Sequence, residues 1–259
     1  TTMKKLNSPI PWVGGKRLLR NEIISRFPEH KTYIEPFAGA AWVYWGKEPS
    51  TVEVINDLNG DLVNLFLTIK NHPQEFYDRL WYMKTSRDLY KKSIEVIESG
   101  AKGLDDIDRA VYFFYSIKNA FGGRFASGYS FSKTQPPRSA IGLDFVQELS
   151  QRLENTYIEN LPYQRIIKNY DSPESFFYCD PPYVVADGTK YYQHVFTPDM
   201  HIDLKNRLSK IKGKFLLSYD DVPTIRELYK DFNIKKTKPV RYTLNQKSQN
   251  KQELFITNY

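Results

Sequence analysis

The sequence predicts a protein of the α/β class: an open, Rossmann-like sheet interrupted once by an inserted, mainly helical segment. Three observations predict it. Short apolar runs at 32–35, 52–57, 176–179 and 214–219 read as strands and alternate with helix-like patterns. The first run passes into a turn of small residues and the second ends in an acid, a pairing suited to nucleotide-type ligands in open α/β sheets. Between about Pro73 and Asn160 the alternation stops and helical periodicity takes over.

At 259 residues the chain can bury a sizeable core as one large domain, or as one domain with an insertion. The expected division is a catalytic domain from 1–72 and 161–259 around an insertion at 73–160. Net charge is +7 and the sequence pI about 9.2, consistent with a polyanionic partner but not decisive for one. Aromatics make up 15% of the chain, which suits base stacking and an ordinary core equally. Cys179 is the single cysteine, so an intrachain disulfide and a cysteine-based metal cluster are excluded. A reducing cytoplasm is the expected setting, with no signal peptide and no apolar run of bilayer-spanning length. Thr1 and Thr2 precede Met3 and read as residues added ahead of the start.

From the amino end, Pro11-Trp12-Val13-Gly14-Gly15-Lys16 leads into a helical pattern through Leu18, Leu19, Ile23 and Ile24. A Gly-Gly turn opening onto a helix lets a ligand approach the backbone. Taken alone, it reads as a simple loop. Thr32 to Ala41 then gives a strand and the turn Phe37-Ala38-Gly39-Ala40-Ala41, followed by an amphipathic segment around Val43 and Trp45. Val52 to Asp57 is the second strand, and Asp57 lies 18 residues beyond Gly39. That is close to the spacing at which an acid takes ribose hydroxyls. The turn carries a single glycine rather than Gly-x-Gly-x-x-Gly, and the chain has no Gly-x-x-x-x-Gly-Lys-Ser/Thr loop. A cofactor with ribose and adenine but no phosphate fits best, which points to S-adenosylmethionine over a nicotinamide dinucleotide.

Within the insertion, Phe76, Leu80 and Leu89, and then Ile107 to Ile117, carry helical periodicity. Asn119 to Lys133 is rich in glycine and aromatics with cationic ends. It reads as a hairpin reaching nucleic acid, with Asn119 or Arg124 at base edges and Lys133 or Arg138 on phosphates. A solvated surface loop is the competing reading.

The strand at 176–179 runs directly into Asp180-Pro181-Pro182-Tyr183, in the loop leaving a strand end where open α/β sheets bind ligands. An exocyclic amine on a base is a poor nucleophile because its lone pair is delocalised into the ring, so a catalyst must supply acceptors for its hydrogens. Ionised Asp180 is acceptor-only, and the Pro181 carbonyl is a second acceptor. Pro181 and Pro182 fix φ and restrict the residues before them. Tyr183 offers a stacking face. A stiff turn or a polyproline ligand would use the same residues. The segment 184–197, which includes His194, reads as a loop over the site or a plain connection. A helix follows from Pro198 to about Ile211, then a strand at 214–219. Two closing strands near 240–244 and 253–257 flank a Gln-Lys-Ser-Gln-Asn-Lys turn in a basic segment.

Trp12-Val13-Gly14-Gly15-Lys16, Glu35-Pro36-Phe37-Ala38-Gly39, Asn56-Asp57 and Asp180-Pro181-Pro182-Tyr183, in this order, resemble the Dam-type adenine-specific DNA methyltransferases of the alpha group. The resemblance implies a seven-stranded, mostly parallel sheet with helices on both faces and an inserted target-recognition domain. It implies Trp12, Lys16, Asp57 and Asp180 at the cofactor, with Phe37 and Gly39 lining it. Asp180, Pro181, Pro182 and Tyr183 would hold an adenine flipped out of double-stranded DNA. It also implies direct methyl transfer from S-adenosylmethionine without a metal, in a bacterial or phage-infected cell. The 119–133 stretch lacks the Pro-Phe-Gly of GATC-methylating members, so a GATC target is not implied. Methylation of the cytosine amino group, an RNA substrate and a non-catalytic DNA-binding relative remain the alternatives, and the residues carry no sign of oligomeric state.

Overall fold

Adjacent residues along each central strand fall into different apolar clusters. Tyr33, Phe176, Leu216 and Phe255 join one, whereas Ile34, Phe177, Leu217 and Ile256 join the other. Side chains alternate across a strand, so a sheet covered on both faces must be apolar at successive positions. The computed structural model describes residues 5–12, 14–137, 141–183, 196–244 and 247–259. Its strands are β1 (Thr32–Glu35), β2 (Val52–Asn56), β3 (Thr156–Glu159), β4 (Ser175–Cys179), β5 (Lys214–Asp220), β6 (Asn233–Lys236), β7 (Val240–Leu244), β8 (Lys247–Lys251) and β9 (Glu253–Thr257). Seven of them form one sheet in the order β3-β2-β1-β4-β5-β9-β6. The pairs β3–β2, β2–β1, β1–β4 and β4–β5 are parallel, and β9 runs antiparallel to both β5 and β6.

Helices cover both faces. On one lie α1 (Arg20–Ile24), α2 (Trp42–Gly46), α3 (Gly60–Asn71), α4 (Pro73–Trp81), α5 (Arg87–Glu98), α6 (Asp106–Lys118) and α7 (Leu143–Leu153). On the other lie α8 (Tyr163–Tyr170), α9 (Pro198–Leu208) and α10 (Pro223–Leu228). Side-chain caps start several of them: Asn59 accepts from the backbone N–H groups of Asp61 and Leu62, Asp105 from Asp108, and Thr197 from Met200.

Two expectations need correction. The stretch 73–160, read from the sequence as an insertion, contributes one strand to the sheet: β3 pairs with β2 from Glu53↔Thr156 to Asn56↔Glu159 and forms its edge. The helical stretch therefore ends before Thr156. Its helices also share one apolar cluster with the sheet, in which Phe76, Tyr90, Phe113 and Leu149 join Tyr33, Trp45 and Phe66. The closing strands at 240–244 and 253–257 do not pair with each other. The polar segment 247–251, expected as a turn, is β8 and pairs with β7, while β9 enters the main sheet.

A buried ionic cluster ties α7 to the sheet. The Arg152 Nη2 donates to Glu53 Oε1 at 2.9 Å and to the Tyr44 carbonyl at 3.2 Å, and Lys47 also pairs with Glu53. Burial opposes the charge on Glu53, yet hydrogen bonds from Arg152 and the Lys47 ammonium hold its carboxyl below the ordinary range. This contribution is present above the unfolded carboxylate pKa, about 4.3, and is lost as pH falls through the depressed folded value. Replacing Glu53 by Gln leaves two cations buried with too little compensation. Urea denaturation at neutral pH should show a loss of about 3–5 kcal/mol; a loss below about 1 kcal/mol would refute this account.

Candidate active site

β1 and β4 are adjacent and parallel, but the chain leaves β1 toward β2 on one side and β4 toward β5 on the other. The loops beyond their carboxyl ends diverge and leave a crevice, the position at which such sheets bind ligands. A cleft of about 240 Å³ occupies it, lined among others by Trp12, Lys16, Glu35, Phe37, Gly39, Asp57 and the whole of Asp180 to Tyr183. The cofactor-side and catalytic residues expected from the sequence therefore meet in one place.

The turn after β1 is shaped by Gly39, whose φ is +48° and whose missing Cβ would lie 2.9 Å from the Trp12 indole. Asp57 holds this turn from the end of β2: its Oδ2 accepts the Gly39 N–H at 2.9 Å and its Oδ1 accepts the Asn59 N–H at 2.8 Å. These two bonds fix the Asp57 carboxylate, an acceptor-only group when ionised, at the cleft. Asn56 donates to the carbonyls of Pro36 and Leu161 at 2.8 and 2.9 Å, locking the two strand ends together. Phe37 packs on Tyr163 and, edge-on, on Phe196, with centroids 5.3 and 5.7 Å apart.

On the β4 side, the Lys16 ammonium stands 3.0 Å from Asp180 Oδ1, 3.5 Å from Glu253 Oε2 and 4.8 Å from the centre of the Tyr183 ring. The Tyr183 hydroxyl donates to Glu253 at 2.7 Å. Burial pushes the Asp180 carboxyl up to about 6, partly countered by Lys16 and reinforced by Glu253. Glu35, at the end of β1, is 2% exposed and accepts from the Tyr33 hydroxyl; burial pushes it up to about 8.

The four residues expected at nucleic acid separate. Arg124 and the adjacent Phe125 line the cleft. Asn119 caps α6, and its side-chain amide donates to the Tyr115 carbonyl at 3.0 Å. Lys133 is exposed, and Arg138 lies outside the described residues, as do His194 and residues 184–195. The 119–133 stretch does form a hairpin, closed by the Ala120↔Tyr129 bridge and the Phe121 N–H to Gly128 carbonyl bond of 2.8 Å. Its Gly123 faces Pro11: a Cβ there would lie 2.5 Å from the proline ring. Sequence reasoning missed Glu253, and it quoted Glu35 without giving it a role. An acid opening the apolar run Glu253-Leu254-Phe255-Ile256 was the available signal for the first.

Residues 12–243 match the D12 class N6 adenine-specific DNA methyltransferases. The chain belongs to that family. Among curated relatives it is 26% identical over 273 residues to the type II methyltransferase M1.LlaDCHI of Lactococcus lactis subsp. cremoris, covering 96% of this chain and 94% of that protein. It is 28% identical over 247 residues to the DNA adenine methylase of Vibrio cholerae, covering 88% and 86%. It is 25% identical over 286 residues to the type II methyltransferase M.MjaIII of Methanocaldococcus jannaschii, covering 96% and 98%. This D12-class methyltransferase acts on adenine in DNA and requires a methyl donor. No helix among the described residues is long and apolar enough to cross a membrane.

A carboxyl whose folded pKa is raised stabilises the fold below its unfolded pKa, and the contribution is lost as pH rises through the folded value. For Glu35 that loss continues to about pH 8, whereas for Asp180 it is complete sooner, near 6. The melting temperature of the methyltransferase should therefore fall between pH 6 and 9, and Glu35→Gln should flatten the decline. Parallel declines in the two proteins would rule Glu35 out as its source.

Proposed function

We propose that the cleft binds S-adenosylmethionine beside a single adenine flipped out of double-stranded DNA. The observation that carries this reading is the placement of Asp180 and Tyr183 across the β1–β4 crevice from Gly39 and Asp57. The donor set fits such a cofactor. Trp12 and Phe37 offer ring faces to an adenine, Asp57 is a carboxylate suited to ribose hydroxyls, and Gly39 leaves a turn without a side chain. S-adenosylmethionine, when bound there, supplies the methyl group as an electrophilic sulfonium. Asp180, ionised above about pH 6, supplies negative charge beside a cation in the cleft.

The residues of the β4 loop act on the base. A stacked base pair hides its amino group, so the adenine must leave the duplex. Tyr183 stacks on the flipped ring, Asp180 accepts one amino hydrogen and the Pro181 carbonyl accepts the other. With its hydrogens so held, the nitrogen presents its lone pair out of the ring plane. Pro182 keeps the acceptors in position through its fixed φ. The carboxylate also stabilises positive charge on the nitrogen until the surplus proton leaves. Lys16 orients Asp180, and the helical stretch from Pro73 to the start of β3, with the 119–133 hairpin, reads the target sequence. Arg124, at the cleft, is its contact nearest the base, with Asn119 and Lys133 further out.

Incubation with unmethylated duplex DNA and isotopically labelled S-adenosylmethionine should place label in N6-methyladenine, identified by mass spectrometry of the nucleosides. Asp180→Ala should lower kcat by about 10²–10³-fold, the scale of losing one preorganised polar group. Because Asp180 is acceptor-only when ionised and carries a competing donor when protonated, kcat should rise with pH through about 6. Label confined to cytosine or RNA, or full activity in Asp180→Ala, would sink the reading.

A further inference from the structure

Glu253 belongs to none of the motifs, yet Tyr183 of the β4 loop and Lys16 of the amino-terminal loop both converge on it. It opens β9 opposite Asp220 of β5. Its backbone is fixed by Thr237, whose hydroxyl accepts the Glu253 N–H at 3.0 Å and whose N–H donates to the Glu253 carbonyl at 2.9 Å. Its side chain is 4% exposed. The same oxygen, Oε2, accepts the Tyr183 hydroxyl and faces the Lys16 ammonium that pairs with Asp180. We propose that Glu253 is a positioning residue of the catalytic loop, fixing the Tyr183 ring through its hydroxyl and sharing Lys16 with Asp180 so that the catalytic carboxylate keeps its capacity to accept. This rests on the roles given to Asp180 and Tyr183 above.

The role of Glu253 has two parts. A tyrosine ring that only packs can shift in its plane, whereas a ring anchored at its hydroxyl is held at both ends of its long axis. Glu253 itself is held by the Thr237 bonds, so the anchor is rigid. The second part is electrostatic. A lysine committed to Asp180 alone would draw charge from the acceptor that an amino hydrogen needs, since charge-assisted hydrogen bonds are the strong ones. Here the ammonium also donates to the Gly14 carbonyl at 3.1 Å and stands between two carboxylates. The groups acting on Asp180 are Lys16 from the amino-terminal loop, Glu253 from β9, Glu35 from β1, Tyr178 from β4 and Tyr183 from its own loop. Lys16 lowers the carboxyl and Glu253 raises it, so neutralising residue 253 moves Asp180 toward lower pKa.

The test compares Glu253→Gln, Tyr183→Phe, the double variant and Glu253→Asp in the full chain. Unmethylated duplex DNA and S-adenosylmethionine serve as substrates, kcat is followed against pH, and thermal melting reports folding. Glu253→Gln should lower kcat by about 10–100-fold, the scale of a misplaced reacting group, with KM for the methyl donor little changed. Its acidic limb should move to lower pH. Tyr183→Phe should lower kcat without that movement. The double variant should lose less than the product of the single losses, because both changes act on the one Tyr183–Glu253 bond, weakening its acceptor or removing its donor. Glu253→Asp should restore the position of the limb. Wild-type kcat and an unmoved limb in Glu253→Gln, or fully multiplicative losses, would overturn the proposal. Should Glu253→Gln fail to fold, an unchanged kcat in Tyr183→Phe would overturn it and a lowered one would support it. Failure of the underlying reading is distinct: wild-type protein would then leave adenine unlabelled.

Discussion

The parallel ladder between β1 and β4 joins Thr32 to Ser175 and Ile34 to Phe177, and the geometry of the cleft follows from that junction. Two strands locked side by side deliver Glu35 and Asp180 to the same edge of the sheet, while their onward connections turn in opposite directions. The resulting crevice requires no special loop. Asp57 reaches it from β2, one strand further out, and Glu253 from antiparallel β9, beyond β5. The amino-terminal loop then closes it from outside by setting Trp12 against Gly39 and Lys16 against Asp180.

The chain handles buried charge in two ways. At Glu53, two cations converge on one carboxylate, which stays ionised and ties α7 to the sheet. At the cleft, the balance is reversed: Lys16 faces both Asp180 and Glu253, and Glu35 nearby is held neutral at pH 7 by burial. Removing charged groups from water is costly unless each is paired, so the first arrangement serves the fold and the second works against it. Carboxyls with raised pKa beside a cleft cluster at functional sites.

The sheet was legible where apolar runs were dense. β1, β4 and β5 are almost wholly buried, and successive apolar residues at their centres, such as Tyr33-Ile34, Phe176-Phe177 and Phe215-Leu216-Leu217, face both sides of the sheet. β3 was not legible, because an edge strand buries little. Its Tyr157 is 58% exposed, and Thr156-Tyr157-Ile158-Glu159 lies next to a long helical stretch. β8, Lys247-Ser248-Gln249-Asn250-Lys251, carries no apolar residue and gave no strand signal. In the site, Gly39, Asp57 and Asp180 were readable because each sits within a short local motif. Glu253 was hidden for the opposite reason: its significance comes from Tyr183 and Lys16, which only the folded sheet brings near it.

Two consecutive residues of the amino-terminal loop each rest on a position that has no side chain: Trp12 on Gly39 and Pro11 on Gly123. One glycine belongs to the turn after β1 and the other to the hairpin following α6, so the loop acts as a strap across both banks of the cleft. A methyl group added at either glycine would strike a ring rather than a flexible chain end. Positions 11, 12, 39 and 123 thus form a size-matched set, in which enlarging one member demands a compensating reduction in its partner.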